Sequence, residues 1–88
     1  MENEVKILVY GTDWCFDCRR IRKILDSRQL KYTWINIDKD LEAAKKVESI
    51  NHGNRSVPTI IFPDGSILVE PSDNEFRQNL EKIAGSTL

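Results

Sequence analysis

The feature that most constrains this chain is a change of hydrophobic period close to its start. Val5-Lys6-Ile7-Leu8-Val9-Tyr10 is a β-rich, mostly apolar run of the kind that fits a central strand covered on both faces. Gly11-Thr12-Asp13 breaks it. From Phe16 onward, Cys18, Ile21, Ile24 and Leu25 recur at helical spacing, and Arg19, Arg20, Arg22 and Lys23 fill the opposite face. This predicts a helix from Phe16 to about Arg28. Tyr32-Thr33-Trp34-Ile35-Asn36-Ile37 then reads as a second strand, rich in β-branched and aromatic residues. A strand, a helix and a strand in succession favour a parallel pair joined by a right-handed crossover.

The rest of the chain completes a small sheet. Asp38-Lys39-Asp40 supplies an N-cap for a second helix with Leu41, Ala44, Val47 and Ile50 at three-residue intervals, and Gly53 is placed to end it. Pro58 opens a third strand through Phe62. Pro63-Asp64-Gly65-Ser66 is a turn with Asp-Gly as its hairpin signal, and Ile67-Leu68-Val69 returns as a fourth strand. Ser72 and Glu75 have capping-box spacing. Phe76, Leu80, Ile83 and Ala84 form a third helical stripe, with Gly85 as its stop. The order β-α-β-α-β-β-α predicts an α/β fold, a four-stranded mixed sheet flanked by three helices. No internal repeat or linker divides it, so residues 1–88 read as one domain.

Charge and hydropathy exclude several classes. Thirteen basic residues against fourteen acidic ones give a net charge of −1, which offers no field for generic nucleic-acid binding. No apolar run approaches the ~20 residues needed to cross a bilayer. Met1-Glu2-Asn3-Glu4 is acidic where a secretory signal would be basic, so the expected location is cytoplasmic.

The two cysteines, Cys15 and Cys18, form Cys-Phe-Asp-Cys. A disulfide that staples a fold closes a long loop, and one this short constrains the unfolded chain little. Reactivity is the better reading. Cys15 falls where the first strand gives way to the first helix, at an N-terminus carrying roughly half a positive charge. A thiolate is expected there as the attacking sulfur. Cys18, one turn in and facing the core, would resolve the mixed disulfide. Asp17 has two readings: beside the sulfurs it would disfavour thiolates, whereas turned to solvent it would serve the helix terminus. Trp14 either frames a substrate groove or packs on the sheet edge. Arg19 and Arg20 either raise the local potential at the cysteines or form a solvated helix face, and the second is the better reading.

A structural zinc site needs four ligands, and two cysteines with His52 do not supply them within one chain. A metal or iron–sulfur cluster shared between two chains is the alternative, non-enzymatic reading of the same cysteines. Pro58, at the start of a strand, reads on its own as strand-edge punctuation.

Taken together, Trp14-Cys15-Phe16-Asp17-Cys18 after a first strand, then Gly53-Asn54-Arg55-Ser56-Val57-Pro58 before a hairpin, resembles the glutaredoxin family of the thioredoxin fold. The resemblance spans nearly the whole chain. It implies a monomeric thiol–disulfide oxidoreductase with Cys15 as nucleophile, Cys18 as resolving thiol and Pro58 in the cis form. It also implies that Val57 offers its backbone N–H and C=O to an extended substrate. Trp14 and Phe16 would flank that substrate. Arg55 and the Ser72-Asp73 helix start would hold the carboxylates and amine of a small thiol such as glutathione. No tightly bound cofactor is implied; the partners are disulfide-containing proteins and a small thiol or a reductase as electron donor. Two positions depart from glutathione-using members: Thr12 stands where they carry lysine, and Glu70-Pro71 where they carry Gly-Gly. Trp-Cys and the Pro-Asp-Gly-Ser…Pro-Ser pattern are more similar to mycoredoxins and to redoxins serving ribonucleotide reductase, which use mycothiol or thioredoxin reductase.

Overall fold

The computed structural model describes residues 6–86, with side chains through residue 83. The element order is β1 (Leu8–Gly11), α1 (Phe16–Ser27), β2 (Thr33–Asn36), α2 (Leu41–Ile50), β3 (Thr59–Ile61), β4 (Ile67–Val69) and α3 (Asp73–Ser86). The sheet runs β2-β1-β3-β4. β1 and β2 are parallel, whereas β1–β3 and β3–β4 are antiparallel. The mixed sheet read from the element order is therefore present. Of the first expected strand, Val5 lies outside the described residues, and pairing starts at Leu8.

Central β1 separates two cores. On one side Ile7, Val9, Ile60 and Phe62 meet Ile21, Ile24 and Leu25 of α1 and Phe76, Leu80 and Ile83 of α3. On the other, Tyr10 and Ile37 meet Ala43, Ala44 and Val47 of α2. The buried residues of α1 are Cys18, Ile21, Ile24 and Leu25, the stripe its spacing predicts. In α2 the stripe differs. Leu41 is 63% exposed, and Ala43 takes a place in the core. Leu41 is the first helical residue, beside the Asp40 cap, and small alanines let the helix lie close to the sheet.

Local signals set the helix starts. Asp40 Oδ1 accepts the Ala43 N–H at 3.1 Å. Ser72 and Glu75 form the reciprocal capping box, with Glu75 N–H donating to Ser72 Oγ at 3.1 Å and Ser72 N–H donating to Glu75 Oε1 at 2.9 Å. The hairpin closes through Gly65, whose φ of +89° suits a residue without Cβ. Gly85 does not stop α3, which runs on to Ser86. A single glycine costs a helix only about 1 kcal/mol, and Phe76, Leu80 and Ile83 anchor this one in the core. The side chain of Ala84 lies outside the described residues.

Candidate active site

The topology gathers the predicted residues at one end of the sheet. β1 ends at Gly11 and leads into the loop before Cys15. β3 runs antiparallel to it, with Tyr10 opposite Thr59, so Pro58 lies at that same end. β4 returns there as well: Val69 pairs with Thr59, and Glu70 N–H donates to the Pro58 carbonyl at 2.9 Å. Glu70 adopts a left-handed φ of 48° where the glutathione-using pattern has glycine. Ser72 and Asp73 follow at once. The Val57–Pro58 peptide bond is cis.

Cys15 is the N-cap of α1. Its own N–H donates to the Thr12 carbonyl at 3.4 Å, and its Sγ accepts the Cys18 N–H at 3.1 Å. The sulfur thus occupies the position usually held by a capping hydroxyl or carboxylate, and it satisfies one of the orphan donors of the helix. Both cysteines are free thiols. Cys15 is 7% exposed, although its neighbours Trp14 and Phe16 are 70% and 78% exposed.

Cys18 is fully buried. Burial is the main cause that pushes its thiol up to about 12, with the hydrogen bond to Cys15 adding to it. The charges of Cys15 and Asp17 act in the same direction, and a backbone hydrogen bond from Thr12 opposes them. Space behind Cys18 depends on Gly11. A Cβ there would come within 2.6 Å of Cys18 Sγ and 2.7 Å of the Trp34 ring. The Arg22 guanidinium lies over the same ring, 4.1 Å from its centroid.

Trp14 does not pack on the sheet edge. It projects into solvent, and its indole N–H donates to Asp38 Oδ2 at 2.9 Å. Asp17 also faces outward, with its carboxylate 3.4 Å from Arg20 Nη2. Arg20 corrects the expectation of a solvated helix face: it pairs with Asp73 and donates to the Pro71 carbonyl at 3.2 Å, tying α1 to the start of α3. Of the residues expected to hold a small thiol, Arg55 is paired with Glu48 at 2.5 Å, Asp73 with Arg20, and Ser72 is the cap of α3. Thr12 is buried, and its hydroxyl has no partner among the described residues. Gly11, Trp34 and Asp38 were not singled out by the sequence for this site; Trp34 and Asp38 meet it only through contacts distant in the chain.

An open groove of about 620 Å³ is lined by Tyr10, Ile35, Asp40 and Lys46 among others, and includes neither cysteine. Among the described residues no group of three or more His, Cys, Asp or Glu side chains could hold a metal ion. No described helix is long and apolar enough to cross a membrane.

Fold and site together define a class: an α/β protein with a CxxC pair at a strand–helix junction. Comparison with known proteins narrows it. The glutaredoxin family profile matches residues 7–68. The chain is 42% identical over 79 residues to a Mycobacterium tuberculosis protein named "Putative glutaredoxin Rv3198A", covering 90% of this chain and 94% of that protein. It is 40% identical over 78 residues to Mycoredoxin 1 of Corynebacterium glutamicum, covering 89% and 96% respectively. Among solved structures, a glutaredoxin from Archaeoglobus fulgidus superposes with a TM-score of 0.70 at 25% identity, covering 86% of each chain. The thioredoxin-like protein BC3987 gives 0.72 at 22% identity, covering 82% of this chain and 96% of its own. The chain belongs to the glutaredoxin family, has the thioredoxin-like fold, and has the family's general role in thiol–disulfide redox chemistry.

Proposed function

We propose that this protein is a cytoplasmic disulfide reductase in which Cys15 attacks and Cys18 resolves. The observation that carries this reading is the asymmetry between the sulfurs. Cys15 Sγ receives the Cys18 N–H at the helix N-terminus, whereas Cys18 is buried and retains its proton. The sulfur that receives the N–H is placed to carry negative charge. In the first step Cys15 attacks one sulfur of a substrate disulfide; a Cys15–substrate bond forms, and the other half leaves as a thiolate that takes a proton from water. Cys18 then attacks Cys15 Sγ. The Cys15–Cys18 bond forms, the second half leaves, and it takes the proton Cys18 gives up. Two electrons have passed to the substrate.

Substrates in this reading are protein disulfides or mixed disulfides with small thiols. Val57 pairs with extended substrate through its backbone, beside Pro58, Trp14 and Phe16. Arg55, Ser72 and Asp73 hold the carboxylates and amine of the small thiol in this reading, each oriented by an internal partner. The donor we assign is mycothiol, on the likeness to a mycoredoxin and on Thr12 and Glu70-Pro71, which depart from the glutathione-using pattern. The test is a donor screen. Oxidised protein is mixed separately with mycothiol, with glutathione, and with thioredoxin reductase and NADPH, and the free thiols of the protein are counted over time. Fastest reduction by mycothiol is expected; reduction by glutathione alone, or by the reductase alone, overturns the assignment of donor.

A further inference from the structure

Helix α1 is unusual in its charge. It carries Arg19, Arg20, Arg22 and Lys23 against Asp17 and Asp26, in a chain whose net charge is −1. Arg20 is consumed by Asp73 and Asp17. The other three cations have no carboxylate within ion-pair distance among the described residues. Arg19 donates to the Asp13 carbonyl at 3.1 Å, which positions the guanidinium without neutralising it. Arg22 lies over the Trp34 ring.

These cations adjoin exposed aromatic surface. Phe16, 78% exposed and next to Cys15, lines a depression of about 310 Å³ with Arg19, Arg20 and Lys23. A second depression of about 240 Å³ shares Arg19 and Lys23 and adds Arg22, with Asp26 as its one acid. An exposed aromatic anchor beside cations is the composition of a protein-recognition surface.

We infer that this face of α1 docks acidic polypeptide segments next to the partner's disulfide, a specificity that rests on the redox reading above. The occupant is set by charge complementarity and by reach. Phe16 to Lys23 spans roughly 10 Å of helix at about 1.5 Å per residue. Roughly three extended residues cover that distance. The partner's carboxylates therefore fall about two to four residues from its reacting cysteine, and its apolar contact falls on Phe16. A small thiol would fill one depression and leave the other empty; a peptide crosses both.

The test uses pre-reduced protein in single turnover, so that no electron donor enters. Two synthetic cystine peptides are compared, identical except for three Glu or three Gln residues following the cysteine. At about 20 mM NaCl the Glu peptide should be reduced roughly ten-fold faster, and the ratio should fall toward unity at about 500 mM. In the double variant Arg19→Gln/Lys23→Gln the low-salt ratio should drop about three-fold or more. Because the readout is a ratio, a general loss of activity in the variant cancels. Equal rates for the two peptides in the native protein at low salt overturn the inference without touching the redox reading. A ratio unchanged in the double variant does the same. Failure to reduce either peptide takes both down.

Discussion

Cys15 and Cys18 are both buried and lie one helical turn apart, yet they differ in hydrogen bonding and in their neighbours. Cys15 caps the helix, flanked by two exposed aromatic rings, and accepts an N–H. Cys18 supplies that N–H and is fully buried, with its sulfur close against Gly11. The difference teaches that role follows from position on the helix. At the N-terminus a sulfur meets unpaired donors; one turn in, it meets packed side chains. The largest effect should come from removing one sulfur at a time. Cys15→Ser should cost about a thousand-fold or more in disulfide reduction, since the attacking atom is gone. Cys18→Ser should keep the first step and accumulate a protein–substrate mixed disulfide, visible by mass. A Cys15→Ser variant that still forms such an adduct would reverse the two roles.

The second way to probe the contrast is pH. The Cys18 thiol rises from an ordinary 9.0 to about 12 in the folded chain. The native state therefore binds this proton more tightly than the unfolded state does. The stability that follows is fully present below 9.0 and is lost as pH rises from there to about 12. Reduced protein and a Cys18→Ala variant should be compared by denaturant midpoint from about pH 8 to about pH 11. The native protein should fall more steeply than the variant across that window. Parallel curves would mean that burial does not hold the Cys18 proton.

A third probe acts on the packing behind Cys18. Gly11→Ala places a Cβ where Cys18 Sγ and the Trp34 ring already converge. Overpacking of this kind costs roughly 1–3 kcal/mol. It should also slow resolution relative to attack, because Cys18 is the atom displaced. Stability within error of the native protein would show that Trp34 moves aside freely and that the pocket around Cys18 is soft.

How much of this was legible in the sequence depends on distance along the chain. The core face of α1, the Asp40 cap and the Ser72–Glu75 box are signalled within one or two turns, and the structure bears them out. Cys15 as N-cap follows from the same short-range logic. The misreadings involve tertiary partners or packing. Arg20 looked like a solvated charge because Asp73, its partner, is 53 residues away. The sequence leaves two readings of Trp14 open because Asp38, which holds its indole, is 24 residues on. The pairing of Arg55 with Glu48 on the preceding helix is likewise a tertiary contact that the sequence does not signal. Leu41 and Gly85 failed differently: periodicity does not say where a helix leaves the sheet, and core anchoring outweighs one glycine.

The smallest expected effect concerns Asp17, whose two readings the sulfur comparison separates. Its carboxylate faces solvent, half exposed, 3.4 Å from Arg20. Its charge is the last of the causes that raise the Cys18 thiol, well behind burial. Asp17→Asn should therefore lower the Cys18 titration only slightly, as followed by thiolate absorbance in the ultraviolet. Stability should change by about 1 kcal/mol or less, as expected for an exposed ion pair. Arg20 keeps its contacts to Asp73 and Pro71 in that variant, so the junction between α1 and α3 should persist. A downward shift of Cys18 comparable to the whole displacement from 9.0 would mean that the carboxylate, not burial, sets the difference between the two sulfurs.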